Sequence, residues 1–471
     1  MNSINKHRFQ DLNEIASGIS SSQEQAGHGT PFVSFSTVFN NVFLPDELPD
    51  KMDTTEKEQE NCSVRKGDVF LTRTSETIDE LAMSCVAAKD YPRATFSGFL
   101  KRLRPKTKDI AYHKYLAFYL RGYLFRKAMN NNAFMTLRAS FNEDIFSYLY
   151  LYLPPYEQQV LIGDLFYIIE EKIRLNQKMC VELESMAKTL YDYWFVQFDF
   201  PDEYGKPYRT SGGKMIDNSQ IKIDIPDGWK VGNLYEIADF INGLACQKYR
   251  PEIGEEGLPV IKIKEMHDGI TGDTEFVSKN IPNKYVINDG ELLFSWSATL
   301  ETMFWYGGEG GLNQHIFKVV PKESYPIEYV YEQLSAYIIN FVKMAEARKT
   351  TMGHITTDHL NQSRIVLPPP DVLERFSLMV KPIYQKVGQL KKENRTLSLL
   401  RDWLLPMLMN GQVTVVDKEE TEVDKSKEAS APTVDPRFTK WLDTMGLAAR
   451  GTVDQQTLLD IFNAMDKDDK Q

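Results

Sequence analysis

Apolar residues recur on a heptad spacing along residues 154–196 and again along 368–410, and each position of the second stretch lies 214 residues beyond its counterpart in the first. Each stretch opens on a proline pair, Leu153-Pro154-Pro155 and Leu367-Pro368-Pro369. Proline pre-sets φ for a first helical turn, so each pair reads as a helix start. In the first copy one seam position is Phe166, Ile173, Cys180, Ala187 and Trp194, and its companion is Ile162, Ile169, Asn176, Leu183 and Leu190. In the second copy the same positions are Val380, Val387, Asn394, Arg401 and Leu408, with Phe376, Ile383, Leu390, Leu397 and Leu404. A period of 3.5 residues sustained this long predicts a coiled-coil seam, and such a helix spans roughly 60 Å.

Two asparagines interrupt that seam. Counted along the ten seam positions of each helix, Asn176 is fifth and Asn394 is sixth. Antiparallel packing brings them face to face, whereas a parallel register sets Asn176 against Leu390 and leaves it unpaired, at a cost of about 1–3 kcal/mol. The spacing therefore favours an antiparallel pair with a polar register lock. The other reading, in which either asparagine turns to solvent at a kink, stays open.

Each long helix is preceded by the same order of elements. FQDLNEIASGIS is matched by VGNLYEIADFING, with Leu234, Glu236, Ile237 and Ala238 standing for Leu12, Glu14, Ile15 and Ala16. TPFVSFSTV and KGDVFLTRT alternate as strands do, and GLPVIKIK and NDGELLFSWSAT take their places, with Gly290 paired to Gly67. ATFSGFLKRLRP, a strand, corresponds to GLNQHIFKVVP, and the amphipathic helix AYHKYLAFYLRGYLFRKAM to IEYVYEQLSAYIINFVKMA. The chain is thus an internal duplication of mixed α/β units. FDFPDEYGKPYRTSGGKMID between the halves reads as a linker. After Gly411, a C-cap, an acidic tether runs to about Pro436, and residues 437–471 predict a small helical tail.

Composition adds limits rather than chemistry. The 471 residues are 42% hydrophobic and 26% charged, which suits a folded protein of several domains. MNSINKHRFQ lacks the apolar run of a signal peptide, and no apolar stretch nears the ~18 residues of a membrane span. Cys62, Cys85, Cys180 and Cys246 show no metal spacing, so a reduced, cytoplasmic setting is expected. The net charge of −11 disfavours nucleic acid only on average. Between Pro92 and Arg138 eleven Lys and Arg face one acid, Asp109, and local charge is what a phosphate feels within a Debye length of about 8 Å.

Catalytic signals are weak. LPPY at 153–156 has Leu where an amino-methyltransferase motif needs Asn or Asp to hold the target amino group. GGEGG at 307–311 lacks the Lys-Ser/Thr of a phosphate loop and reads as a hairpin turn. Candidate base- and phosphate-contacting residues instead recur at duplicated strand and loop ends. In the first half these are Ser34, Ser36, Arg73, Thr74, Lys101, Arg102, Arg138 and Ser140. In the second they are Lys262, Lys264, Ser295, Trp296, Ser297, Asn313, Gln314, His315, Thr351 and His354. Asn and Gln match adenine, Arg and Lys match guanine, and the remaining cations of the belt suit phosphates.

The order domain, proline-started helix, domain, proline-started helix resembles the specificity subunit of type I restriction–modification enzymes. The resemblance is carried by LESMAKTLYDYWFVQFDFP (183–201), GKPYRTSGGKM (205–215), IPDGWKVGNLYEIAD (225–239), GLNQHIFKV (311–319), TMGHITTDHL (351–360) and ENRTLSLLRDWLLPMLMNGQV (393–413). It implies an α/β (α+β) protein with two tandem target-recognition domains, 1–153 and 228–367, joined by two long antiparallel coiled-coil helices, 154–197 and 368–411, in a pseudo-two-fold arrangement. Residues 198–227 would be the linker, 412–436 the tether and 437–471 the tail. It further implies a non-catalytic subunit that reads a split double-stranded DNA target. Two methyltransferase subunits and restriction/translocase subunits would be its partners, and they, not this chain, would hold S-adenosylmethionine, ATP and Mg. Apolar helix residues outside the seam, Ile168, Tyr191, Phe195, Leu399 and Trp403, would dock the methyltransferases. A coiled-coil scaffold without its own DNA readout is the alternative.

Overall fold

The computed structural model describes residues 4–20, 23–75, 80–131, 134–135, 139–140, 144–297, 299–347, 355, 357–416 and 448–450. The chain divides into two compact units, residues 1–171 with 397–471, and residues 172–396. Each unit contains one copy of the repeat and part of both long helices.

In the first unit the strand Asn5–Arg8 pairs with Tyr150–Leu153, so the ends of the repeat are tied together directly before the long helix. The central sheet is antiparallel, in the order Asn13–Ser17, Leu100–Pro105, Val69–Thr72, Ser84–Val86. A second sheet sets Ala26–Val33 between Asp50–Met52 and, in parallel, Thr95–Phe96. Val33, Val38, Phe70, Cys85, Phe96 and Leu100 fill the space between these sheets.

The second unit repeats this topology. Lys230–Gly232 pairs with Ile365–Leu367 ahead of the second long helix. The central sheet runs Ala238–Asn242, Ile316–Pro321, Leu292–Ser295, Glu301–Phe304, and its companion pairs Gly257–Ile261 in parallel with Gly310–Leu312. Gly67 and Gly290 occupy the same turn, before the strands Val69–Thr72 and Leu292–Ser295, with φ of 91° and 87°, a region that favours glycine. The duplication is therefore one of fold.

The match differs from the sequence reading in one register. The short helix Phe9–Leu12 corresponds to Leu234–Ile237, so Leu234 stands for Phe9 and not for Leu12. Glu14-Ile15-Ala16 lie on a strand while Glu236-Ile237 lie in the helix. Several strand expectations also shorten. Ser34 caps a helix, Phe35–Asn40, by accepting from the Thr37 amide at 3.2 Å, so FSTV is helical. ATFSGFLKRLRP breaks into Thr95–Phe96 and Leu100–Pro105, and the helix expected over 111–129 is split into His113–Tyr119 and Tyr123–Asn131. GGEGG is a turn between the two sheets of its repeat rather than a hairpin, since Glu301–Phe304 and Gly310–Leu312 pair with different strands.

The long helices run over Tyr156–Tyr191 and Pro370–Met409. Phe166, Ile173, Cys180, Ala187, Trp194, Phe376, Val380, Val387, Leu390 and Leu397 of the seam are all buried. Within residues 172–396 the pairing is antiparallel. Asn176 Nδ2 donates to Asn394 Oδ1 at 2.9 Å and to Glu393 Oε2 at 2.7 Å, while Asn394 Nδ2 donates to the Ile173 carbonyl at 3.3 Å. Lys391 meets Glu184 at 2.7 Å. In the first unit Arg401, on the seam, bonds Glu170 at 2.7 Å and so satisfies a charge where an apolar residue is usual. Gly163 lets the helix His113–Tyr119 approach closely, as a Cβ there would lie 2.6 Å from the Tyr115 nitrogen.

Three expectations change. The stretch 198–227, expected as a linker, is folded. Phe198, Phe200 and Ile225 are buried, Phe200 stacks on Tyr208 and Trp229, and Met215–Asn218 forms a hairpin with Ile223–Pro226. Its aromatic residues outweigh its Gly and Pro. Tyr191 and Phe195 are also buried, Phe195 lying 4.9 Å from Phe376 and 5.0 Å from Tyr329, whereas Ile168 and Leu399 are exposed. In the tail, Ala448–Arg450 forms a strand with Thr414–Val416, and residues 417–447 and 451–471 lie outside the described residues. Among the described residues no helix is long and apolar enough to cross a membrane.

Candidate nucleic-acid interface

The candidates among the described residues lie toward one end of each central sheet. In the first repeat the strand Asn13–Ser17 ends opposite Lys101, and Thr72 ends opposite Leu100. Four loops meet there. The Ile19 amide donates to the Phe96 carbonyl at 3.0 Å, the Gly98 amide to Ile19 at 2.7 Å, the Ser97 amide to Val33 at 3.0 Å and the Arg73 amide to Phe99 at 2.9 Å. Ser34 and Ser36 start the next helix, their hydroxyls 2.9 Å apart. Thr74 pairs across a small sheet with Ser140.

The second repeat builds the same end with different side chains. The Leu244 amide donates to Leu312 at 2.8 Å, the Asn313 amide to Ile261 at 3.3 Å and the Trp296 amide to His315 at 3.3 Å. Gly18 and Gly243 sit at the crossing, where an added Cβ would lie 2.2 Å from the Phe96 carbonyl oxygen in one and the Asn313 carbonyl oxygen in the other. Lys262 and Lys264 begin the helix Ile263–Asp268 and reach Glu275 at 2.9 Å and Asp273 at 3.9 Å. The hydrogen bond from Lys262 holds the Glu275 carboxyl below its ordinary range.

Trp296 Nε1 donates to Asn242 Oδ1 at 3.1 Å, and its ring lies 5.6 Å from that of His315. Gln314 Nε2 and His315 Nε2 are 3.3 Å apart, while His315 Nδ1 is buried with no hydrogen-bond partner among the described residues. Asn313 is buried and its Oδ1 accepts from the His315 amide at 3.2 Å. Ser295 is fully buried, donating to the Thr299 carbonyl at 2.6 Å, and Ser297 is buried beside it, so these two shape the loop. Arg138, Thr351 and His354 lie outside the described residues.

Lys101 and Arg102, expected to contact DNA, are interior residues in this structure. Lys101 is buried with Nζ 2.5 Å from Ser17 Oγ. Arg102 is 2% exposed, donates to the Ser63 carbonyl at 2.8 Å and lies over the Phe96 ring. Burial lowers its pKa from the ordinary range. Much of the basic belt is used in the same way. Arg104 forks onto Asp68 at 2.6 and 2.7 Å, Lys114 meets Asp164 at 2.7 Å, and Arg121 bonds the Asn41 and Ser84 carbonyls. High local charge in the sequence here reflects internal ties to carbonyls and carboxylates.

Ser17, Ser97, Phe99 and Asn242 belong to these loop ends and were not among the candidates. The dipeptides Ser17-Gly18 and Asn242-Gly243, each just after a strand, are the sequence signal for them. As a surface, each end offers hydroxyls, amides, rings and cations on fixed turns, a set able to bond base edges and phosphates and holding, among the described residues, no nucleophile–base pair.

A family model described as the type I restriction modification DNA specificity domain matches residues 4–185 and 226–386. The chain is 24% identical over 324 residues to the type I restriction enzyme HindI specificity subunit of Haemophilus influenzae, covering 57% of this chain and 70% of that one. It is 23% identical over 432 residues to the MjaIX specificity subunit of Methanocaldococcus jannaschii, covering 87% and 93%. In fold it is similar to the crystal structure of a type I restriction–modification S subunit from M. genitalium, with a TM-score of 0.54 and 12% identity over 86% of this chain and 96% of that one. The chain belongs to the DNA specificity subunits of type I restriction–modification enzymes, a family of sequence-recognising, non-catalytic subunits.

Proposed function

We propose that each repeat reads one half of a split DNA target through the loops at the end of its central sheet, and that partner subunits carry out methylation and cleavage at the site so chosen. The observation that carries this reading is the duplication itself: two sheets of one topology bring different polar and aromatic side chains to the same place. Equivalent scaffolds with unlike side chains suit two unlike half-sites. Arg73, Lys262 and Lys264 supply donors for guanine or phosphate, and Gln314 and Asn242 supply amides for adenine.

The first long helix, 36 residues and so about 54 Å, would serve as the stiff element that a constant half-site separation needs. Two methyltransferase subunits, with restriction/translocase subunits, would complete the complex and would hold S-adenosylmethionine, ATP and Mg, with no cofactor in this chain. Mapping methylated positions across a genome that carries this protein and its partners is the test. The expected result is one split sequence with a constant spacer. Methylation with no sequence bias, as a pure scaffold would give, or at a single unsplit sequence, would contradict the proposal.

A further inference from the structure

We propose that Arg73 and Phe99 form a base-reading pair, with the Arg73 guanidinium on a guanine and the Phe99 ring on the methyl group of an adjacent thymine in the half-site of the first repeat. This rests on the reading just given and adds the residues and the base chemistry. The ladder between Val69–Thr72 and Leu100–Pro105 pairs Leu71 with Lys101 and Thr72 with Leu100. Arg73 and Phe99 are the next step, joined by the Arg73 amide on the Phe99 carbonyl at 2.9 Å. Directly opposed antiparallel residues project from one face with Cβ atoms about 5 Å apart.

Both side chains face water. Phe99 is 62% exposed, and the exposed Arg73 has no side-chain partner among the described residues. The turn that carries Phe99 is nevertheless fixed: the Phe99 amide donates to Ser97 Oγ at 3.3 Å and the Gly98 amide to the Ile19 carbonyl at 2.7 Å. A large ring held out by a rigid turn beside a free guanidinium has no part in the core of its own unit. The second repeat shows what the position does geometrically. Trp296 and His315 are the equivalent pair, joined by the same backbone bond, and their rings lie 5.6 Å apart. One ladder end thus carries guanidinium and phenyl, the other indole and imidazole.

In a major groove, guanine offers O6 and N7 to a guanidinium, and thymine alone offers a C5 methyl to an apolar ring. A phosphate contact would use the cation and leave the ring without a role.

The test uses this chain assembled with its methyltransferase partners and measures methylation of DNA libraries randomised in the first half-site. Arg73→Ala should lose preference for one G·C pair by about tenfold or more, with the second half-site unchanged. Phe99→Ala should lose preference for thymine at the adjoining pair. Deoxyuridine there, which lacks the methyl, should weaken the parent by the same factor and leave Phe99→Ala unaffected. Equal loss on every sequence with Arg73→Ala, or no response of the parent to deoxyuridine, would overturn the pair. A parent complex without any sequence preference would overturn the broader reading instead, and the pair with it.

Discussion

Replacing Arg102 with Glu should strongly destabilise the sheet domain of the first repeat. The guanidinium is 2% exposed and lies between the carbonyls of Ser63 and Asn61, at 2.8 and 3.4 Å, over the face of Phe96. A carboxylate there would face the carbonyl oxygens that the guanidinium now bonds, and losing a buried, bonded charge costs about 3–5 kcal/mol. Domain stabilities are about 5–15 kcal/mol, so the loss is a large fraction of the whole. Thermal unfolding of the purified variant should show a first-repeat transition lowered by about 10 °C or more. Loss of DNA binding with an unchanged melting profile would place Arg102 on the interface instead.

Above pH 7, Glu332→Gln should be more stable than the parent. Glu332 is 4% exposed on the helix Ile327–Ala347 and accepts a hydrogen bond from the Tyr384 hydroxyl of the second long helix. Burial pushes its carboxyl up to about 7, with Asp192 and Glu184 adding to the rise and Tyr384 and Lys188 opposing it. A carboxyl whose folded pKa exceeds its unfolded value near 4.5 favours the fold while protonated. That contribution is complete below about pH 4.5 and is lost as pH rises through about 7. The full swing is about 3 kcal/mol. Denaturant midpoints of parent and variant at pH 5 and pH 8.5 measure it. The parent should fall relative to the variant at the higher pH, and parallel profiles would contradict the assignment.

The sequence made some of this fold legible and hid the rest for definite reasons. The seam could be read because heptads are local and because proline pairs mark both helix starts. The Asn176–Asn394 pairing followed from counting alone, since an antiparallel register leaves few choices. The repeat order was legible too, through Gly67 and Gly290, whose left-handed turn has few substitutes.

The register of the first short helix was not. The shared Leu-x-Glu-Ile-Ala string falls mainly on a strand in one copy and on a helix in the other, because local composition there allows both. Burial was the larger blind spot. Lys101 and Arg102 read as surface cations because charge is usually exposed, and their carbonyl and hydroxyl partners are distant in sequence. Tyr191, Phe195 and the aromatic residues of 198–227 read as docking and linker residues, and tertiary packing took them into the core. Conversely, Phe99 was passed over as an apolar strand residue, and only the turn around it leaves it in water.

The central claim is that each repeat reads its own half of the target. Exchanging residues 228–367 for the corresponding domain of another family member, in the assembled complex, tests it most directly. Methylation should then move to a target with one half replaced and the other half unchanged. A change in both halves, or in neither, would contradict the account.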